Sequence, residues 1–402
     1  MDFNSSTNRA EWLEWRRQGI GSSDATTVAV GAGLVSAPKW MQPEGLQRLY
    51  WDKIGLGGPE KSTTSAMQRG IDLEETARAA AESHLGFIAP VNVECKTHPF
   101  IRASLDGLTL EDEIVEIKVP NDAVVEAASN GLVVDYYQAQ LAHQLSAVHG
   151  HPSTWSGKEG WHFVALCART EVLHIVSGKS EQLRPLALKL FAQCERLWDH
   201  VQRRVPIVGG ERWLEVSSEI IAAKSAQAQA DAIKKRIADA VRNDEYFPRN
   251  LRVARTKAQM RKMTDYKAAL RDAGYDLDKL AEEYAPEGTY TWSNRGGAIV
   301  DQERIDAMAP SDAEDAYLAF DHGAIEERAK QSLMQGYDLA QELGVESLVG
   351  PSGLTIFQRK TPMEWSAVAK KYGVKAGPEH IKEYETAAGI ALSISKEWVK
   401  AI

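Results

Sequence analysis

"ASLDGLTLEDEIVEIKVP", residues 103–120, sets Asp106, Glu111, Asp112, Glu113 and Glu116 into a run that otherwise reads as two apolar strands around a turn. A carboxylate removed from water is costly unless something neutralises it. Glu111, Asp112 and Glu113 fit a solvated turn, where short acidic stretches are ordinary. Asp106 and Glu116 fall inside the strands. Side chains two apart on a strand share a face, so Glu116 and Lys118 point one way while Val115 and Ile117 point to the natural core side. Gly107 lets the backbone turn behind Asp106. If the strands pair through "LTLEDE", the carboxylates of Asp106 and Glu116 converge. Two hard oxygen donors suit Mg²⁺, with Mn²⁺ as an alternative, leaving other positions to water and substrate phosphate. Lys118 alongside could position or deprotonate a water and stabilise charge building on a phosphate.

The flanking sequence supplies a framework for this hairpin. "RAEWLEWRRQ" (9–18) has a helical pattern with Trp12 and Trp15 three apart, and "GIGSSD" breaks it before a helix that Ser23 or Asp24 could cap. Residues 63–86 form a strong Ala-, Glu- and Arg-rich helix ended by Gly86. Strands follow over 88–98, 100–110 and 114–120, then a helix over 132–150, a β pair at 161–168 and 171–178, and a long amphipathic helix over 180–204. That order indicates an α/β or α+β domain over 1–208. Beyond "VPIVGG", residues 209–402 form a mainly helical second region. An Ala-rich helix over about 217–245 reads as exposed or coiled, and suits oligomerisation or partner docking. Next comes an acid-free run with Arg249, Arg252, Arg255, Lys257, Arg261 and Lys262, read as a solvated helix face or a DNA-backbone contact. "GLTIFQRK" (353–360) is the one strand expected there.

The remaining composition narrows the options. With 402 residues, 44% apolar and 26% charged, the chain has the makeup of a folded protein of two domains. No apolar run is long enough for a membrane span and no secretory signal opens the sequence, so a cytosolic setting is expected. Cys95, Cys167 and Cys194 are odd in number and widely spaced, which suits reduced thiols and excludes a four-cysteine iron–sulfur or zinc site. His143, His149 and His151 cluster near a helix end without metal-ligand spacing. The net charge of −9 means that any nucleic-acid contact is local.

Five stretches then occur in order: "WLEWRRQGIGSSDA", "RGIDLEETAR", "IRASLDGL", "VEIKVP" and "YYQAQLAHQLSAVHG". Together, over about residues 10–205, they closely resemble the lambda-type exonucleases of phage recombination, the YqaJ viral recombinase family within the PD-(D/E)XK nuclease superfamily. The resemblance implies a restriction-endonuclease-like α/β core, a mixed central sheet flanked by helices. It implies Mg²⁺-dependent 5′→3′ digestion of linear double-stranded DNA with free ends. The product would be 3′ single strands for a single-strand annealing protein, and the enzyme often forms a homo-oligomeric ring. It implies roles for residues too: Asp106 and Glu116 as metal-binding acids, Lys118 as the catalytic lysine, and Glu74 as a helix-borne acid helping a second metal, with Glu75 its competitor. Gln140 matches the active-site glutamine, with Gln138 and Gln144 as competitors, and Tyr137 the aromatic residue before it. Arg16, Ser23 and Ser104 fall where the family holds a 5′-terminal phosphate, for which an Arg fork with hydroxyl donors is chemically suited. One departure is "SLD" at 104–106, where the superfamily usually has a proline before the aspartate. The setting implied is a bacterial or phage-infected host cytosol.

Overall fold

In the computed structural model the described residues are 9–38, 41, 44–59, 64–257, 259–284, 290–360, 365–386 and 389–394. The chain divides into two compact units. The first comprises Met1–Glu215 with Leu348–Gly353, and the second Val216–Ser347 with Leu354–Ile402.

Four helices open the first unit: α1 (Arg9–Arg17), α2 (Ser22–Gly31), α3 (Gly45–Lys53) and α4 (Ser65–Leu85). Strands β1 (Ala89–Glu94), β2 (Arg102–Leu108) and β3 (Ile114–Lys118) follow, then α5 (Asp122–Ser129), α6 (Asp135–His149), β4 (Gly160–Leu166), β5 (Leu173–Lys179) and α7 (Ser180–Arg203). The five strands make one sheet in sequential order. β3 and β4 are parallel and every other neighbour is antiparallel, so the sheet is mixed. The parallel step needs a long crossover, and α5 with α6 supplies it. This is the α/β core with a mixed sheet and flanking helices that the sequence predicts.

The two strands pair through the expected turn, with Gly107 opposite Val115 and Leu108 opposite Ile114. Its turn is pinned by Thr109, whose amide donates to the Glu113 carbonyl while its hydroxyl accepts from the amides of Glu111 and Glu113. Val115 and Ile117 pack with Val164, Leu166 and Ile88 against Ala77 and Ala81 of α4. The opposite face of β3 is covered as well. α6 reaches it, and Glu116 is fully buried. Parallel neighbours are covered on both faces because the crossover helix must pack back on the sheet.

The division between units falls at 215/216, somewhat beyond the break expected at 208/209. Trp213 explains the shift: it is fully buried, and its indole donates to the Val349 carbonyl within the first unit.

The second unit contains most of α8 (Gly210–Arg242), then β6 (Leu251–Thr256), β7 (Gln259–Thr264), α9 (Tyr266–Asp272), α10 (Leu277–Tyr284), β8 (Tyr290–Arg295), α11 (Gln302–Asp306), α12 (Pro310–Leu318) and α13 (His322–Glu342). After β9 (Ser347–Val349) come β10 (Thr355–Lys360), α14 (Trp365–Lys371), β11 (Ile381–Thr386) and β12 (Gly389–Ile394). Helices predominate; the single expected strand is β10, which pairs antiparallel with β8, and the antiparallel pairs β6·β12 and β7·β11 come in addition. The Ala-rich helix is not exposed all round. Its Ile233, Ile237 and Val241 share a core with Leu251, Ile305 and Tyr317. Nor is the basic run a helix face: it forms β6 and β7, pairing with strands more than a hundred residues downstream. Among the described residues no helix is long and apolar enough to cross a membrane.

Candidate active site

The backbone fixes the first pair of acids. Asp106 on β2 lies across the ladder from Glu116 on β3, and its Oδ2 accepts from the Ile117 amide at 2.8 Å. Lys118 extends over both: its Nζ is 3.6 Å from Asp106 Oδ2 and in direct contact with Glu116 Oε1. α6 closes the cluster. Gln140 and Gln144, one helical turn apart, share a side of α6. The Gln140 amide donates to Glu116 Oε1 and the Gln144 amide to Oε2, each at 2.5 Å. Gln138 is turned away, its amide donating to the Val133 carbonyl. The spacing of "QAQLAHQL" left three glutamines in competition, and the helix brings two of them to one carboxylate.

Charge and burial act together on this cluster. Burial, then the Asp106 carboxylate, raises the Glu116 pKa, and Lys118 and Gln144 offset only part of that. Burial disfavours the Lys118 ammonium, but Glu116 and Asp106 outweigh it and hold the lysine well above its ordinary value. In this arrangement Lys118 is a positive charge held between two carboxylates. Glu74, on α4, is paired with Arg78 at 2.7 Å. Burial and then Asp106 raise its pKa, while Arg78 and Lys118 oppose, so it belongs to the same electrostatic cluster. Its neighbour Glu75 is exposed. Tyr137 packs its ring against Phe163, and burial pushes its hydroxyl up to about 12.

The donors suit a small hard cation. Among the described residues no three His, Cys, Asp or Glu side chains stand close enough to enclose a metal by themselves. Mg²⁺ does not need such a cage, because one or two carboxylates with water and phosphate complete its shell. A fully buried carboxylate near a second one, with its pKa raised by burial and then by that neighbour, is a donor set that a divalent cation would relieve.

A second group forms around α1 and α2. Arg16 donates to the Ser23 hydroxyl at 3.0 Å and lies 3.4 Å from Asp24. Its guanidinium sits over the Trp12 ring, 4.8 Å from the centroid. The Trp12 indole donates to the Ser104 hydroxyl at 3.2 Å. Trp12 thus bridges Arg16 and Ser104, a part the sequence reading did not give it, whereas Trp15 is core. Lys53 went unrecognised, and Asp24 was read only as a helix cap. Asp24 caps α2 through the Gly21 amide, and it also meets Lys53 at 2.5 Å. Lys53 in turn donates to the Arg16 carbonyl at 2.8 Å. Burial works against the Asp24 carboxylate, yet Lys53 and Arg16 outweigh it and lower its pKa. Lys53 belongs to α3, a nine-residue helix the sequence pattern did not reveal, so no signal in its neighbourhood pointed to it. Arg16, Arg17, Asp24, Asp52, Lys53 and the glycines at 55, 57 and 58 line a cavity of about 320 Å³.

Ser104 and Asp106 connect the groups, because they are two apart on one face of β2. His143 stays outside both: it is buried, with Nε2 against the carbonyls of Ile20 and Arg102, and burial lowers its pKa. The three cysteines are buried free thiols.

Arg249, Arg252 and Arg255 do not share one surface. Strand alternation puts Arg252 and Arg255 on opposite faces of β6, and Arg255 is paired with Asp244 at 2.9 Å.

Comparison with known proteins shows what this part of the chain is similar to. Residues 11–152 match the YqaJ-like viral recombinase domain. The resemblance seen in the five motifs is thereby borne out over the stretch holding both side-chain groups. The uncharacterized protein YqaJ of Bacillus subtilis (strain 168) is 28% identical over 149 residues, which is 36% of this chain. The matched stretch spans 44% of the length of that relative. Among solved structures, the crystal structure of LHK-Exo in complex with dAMP has a TM-score of 0.37 at 21% identity, covering 48% of this chain and 96% of that one. The alkaline exonuclease LHK-Exo from Laribacter hongkongensis gives 0.33 at 22%, covering 48% and 98%.

Proposed function

We propose that the recombinase domain is a metal-dependent DNA exonuclease that digests linear duplex from a 5′ end and leaves 3′ single strands. The observation that carries this reading is the shared face of β2, where Ser104, tied through Trp12 to Arg16 and Ser23, adjoins Asp106 of the acid–lysine cluster. An end-binding group beside a hydrolytic group is what an end-dependent nuclease requires.

Asp106 and Glu116 would hold Mg²⁺, or Mn²⁺ in its place, with Glu74 on the flank. When bound, such an ion polarises a phosphoryl oxygen and lowers the pKa of bound water. The protein's own residues do the rest. Lys118, held protonated, stabilises negative charge building on the phosphate. Gln140 and Gln144 fix the Glu116 carboxylate in one orientation, as outer partners of metal ligands commonly do. Tyr137 walls the cluster beside Lys118. Arg16 and Ser23 receive the 5′-terminal phosphate through a charge-assisted contact. The 3′ strands would pass to a single-strand annealing protein, and a homo-oligomeric ring around the duplex would keep the enzyme on its track.

The test is digestion of linear duplex bearing 5′-phosphoryl or 5′-hydroxyl ends beside covalently closed circles, with Mg²⁺ or with chelator. Phosphorylated ends should be degraded about tenfold faster than hydroxyl ends, the low end for one lost charge-assisted hydrogen bond. Circles should survive, and chelation should stop all cleavage. Cut circles would replace this reading with an endonuclease, and end binding without cleavage would replace it with a binding module.

A further inference from the structure

Six residues that follow β9's first position in sequence, Leu348–Gly353, belong to the first unit although residues of the second unit flank them on both sides. They are held at several points. The Val349 carbonyl accepts from two buried indoles, Trp51 at 2.5 Å and Trp213 at 2.7 Å. The Val349 amide donates to Gln47 Oε1 at 2.9 Å. The Ser352 amide donates to the Leu56 carbonyl at 2.7 Å. Gly353, at φ +71°, lies so near Gly58 that a Cβ on Gly58 would stand 3.1 Å from the Gly353 Cα. Leu348, Val349 and Pro351 are buried.

Every one of these anchors except Trp213 lies on α3 or on the turn after it. Gln47 and Trp51 are on α3, and Leu56 and Gly58 are in the turn. The same helix and turn supply Asp52, Lys53 and the three glycines to the cavity beside Arg16. Lys53 in turn grips Asp24 and the Arg16 carbonyl. We infer that Leu348–Gly353 is a positioning element of the end-binding pocket: it sets α3 and the Leu56–Pro59 turn, and through Lys53 the place of Arg16. The inference rests on the reading of that pocket as the receptor for a 5′-terminal phosphate. None of these six residues is offered as a contact to DNA.

The experiment compares full-length variants on linear duplex with 5′-phosphoryl or 5′-hydroxyl ends, reading KM and kcat separately. Gly353→Val places a branched side chain at a positive φ against Gly58. Gln47→Leu strips the acceptor from the Val349 amide with little change of volume, and decides the matter alone if the first variant does not fold. Both should weaken the preference for phosphorylated ends through KM, Gly353→Val by about tenfold and Gln47→Leu by about threefold, the range expected for one unmet buried donor. The kcat on hydroxyl ends should stay within about twofold of the parent, whereas simple loss of folded enzyme lowers kcat on both substrates alike. Arg16→Ala is the reference. If it abolishes the preference while both strap variants keep it, the positioning role is overturned and the pocket stands. If Arg16→Ala leaves the preference intact, the pocket reading falls and takes this inference with it.

Discussion

Two lysines in the first unit each sit against a buried carboxylate, and the two carboxylates respond in opposite directions. Lys118 faces Glu116 and Asp106, with Glu74 nearby, so acids are in excess and the Glu116 pKa rises. Lys53 faces Asp24 with Arg16 on the other side, so bases are in excess and the Asp24 pKa falls. Burial pushes both carboxylates the same way, and the sign of the surrounding charge decides the outcome. The acid-rich cluster is suited to a cation and the base-rich one to an anion. Ser104 and Asp106, two apart on β2, link the two groups.

Three variants would break or sharpen that contrast. The largest effect is expected from Glu116→Gln, which removes ligand charge from the acid-rich cluster with little change of volume. Nuclease turnover should fall by about a thousandfold or more, the scale of losing a preorganised electrostatic group. Its melting temperature should stay close to the parent's, and a collapse of melting along with activity would mean that Glu116 is mainly structural.

Asp24→Asn probes the base-rich cluster and should act on stability first. It leaves Lys53 and Arg16 without their countercharge, a loss of about 3 kcal/mol for a broken buried pair. The pH dependence has a definite sign. Because the native Asp24 pKa is lowered, its contribution is complete above the ordinary carboxylate value and fades as pH falls through the native value. Melting temperatures measured from neutral to acid pH should therefore converge for parent and variant. Parallel curves would show that Asp24 is not set by its cations.

The smallest effect is expected outside both clusters. Replacing Arg249, Arg252 and Arg255 with Ala should lower the salt slope of DNA binding by about one unit, as for a single phosphate contact. The two β6 arginines face opposite ways and Arg255 already has Asp244, so the three cannot act as one patch. A drop near three units would show that they rearrange to bind together.

How much was legible varied with the range over which each pattern acts. The hairpin was readable because its signals are local, alternation and an acidic turn; Gly107, read as the turning residue, instead lies within β2 opposite Val115, where a Cβ would collide with Ile88. Arg16 and Ser23 were grouped by the family resemblance alone, and the structure adds their direct contact at 3.0 Å. Lys53 was hidden in a short helix without strong periodicity, and its partners lie on two other helices. The β6 and β7 strands were hidden for a related reason: a charged, acid-free run has no apolar alternation, and its partners lie near the far end of the chain.

The sequence by itself determined the acids, the lysine and the turn that brings them together, because neighbours on a hairpin have little freedom to be elsewhere. Only the tertiary structure decided which glutamines reach Glu116, that α6 buries it, and that Leu348–Gly353 returns to brace α3. Those outcomes depend on helix packing and on contacts between distant segments. Their energies come from burying surfaces together, which no local spacing records.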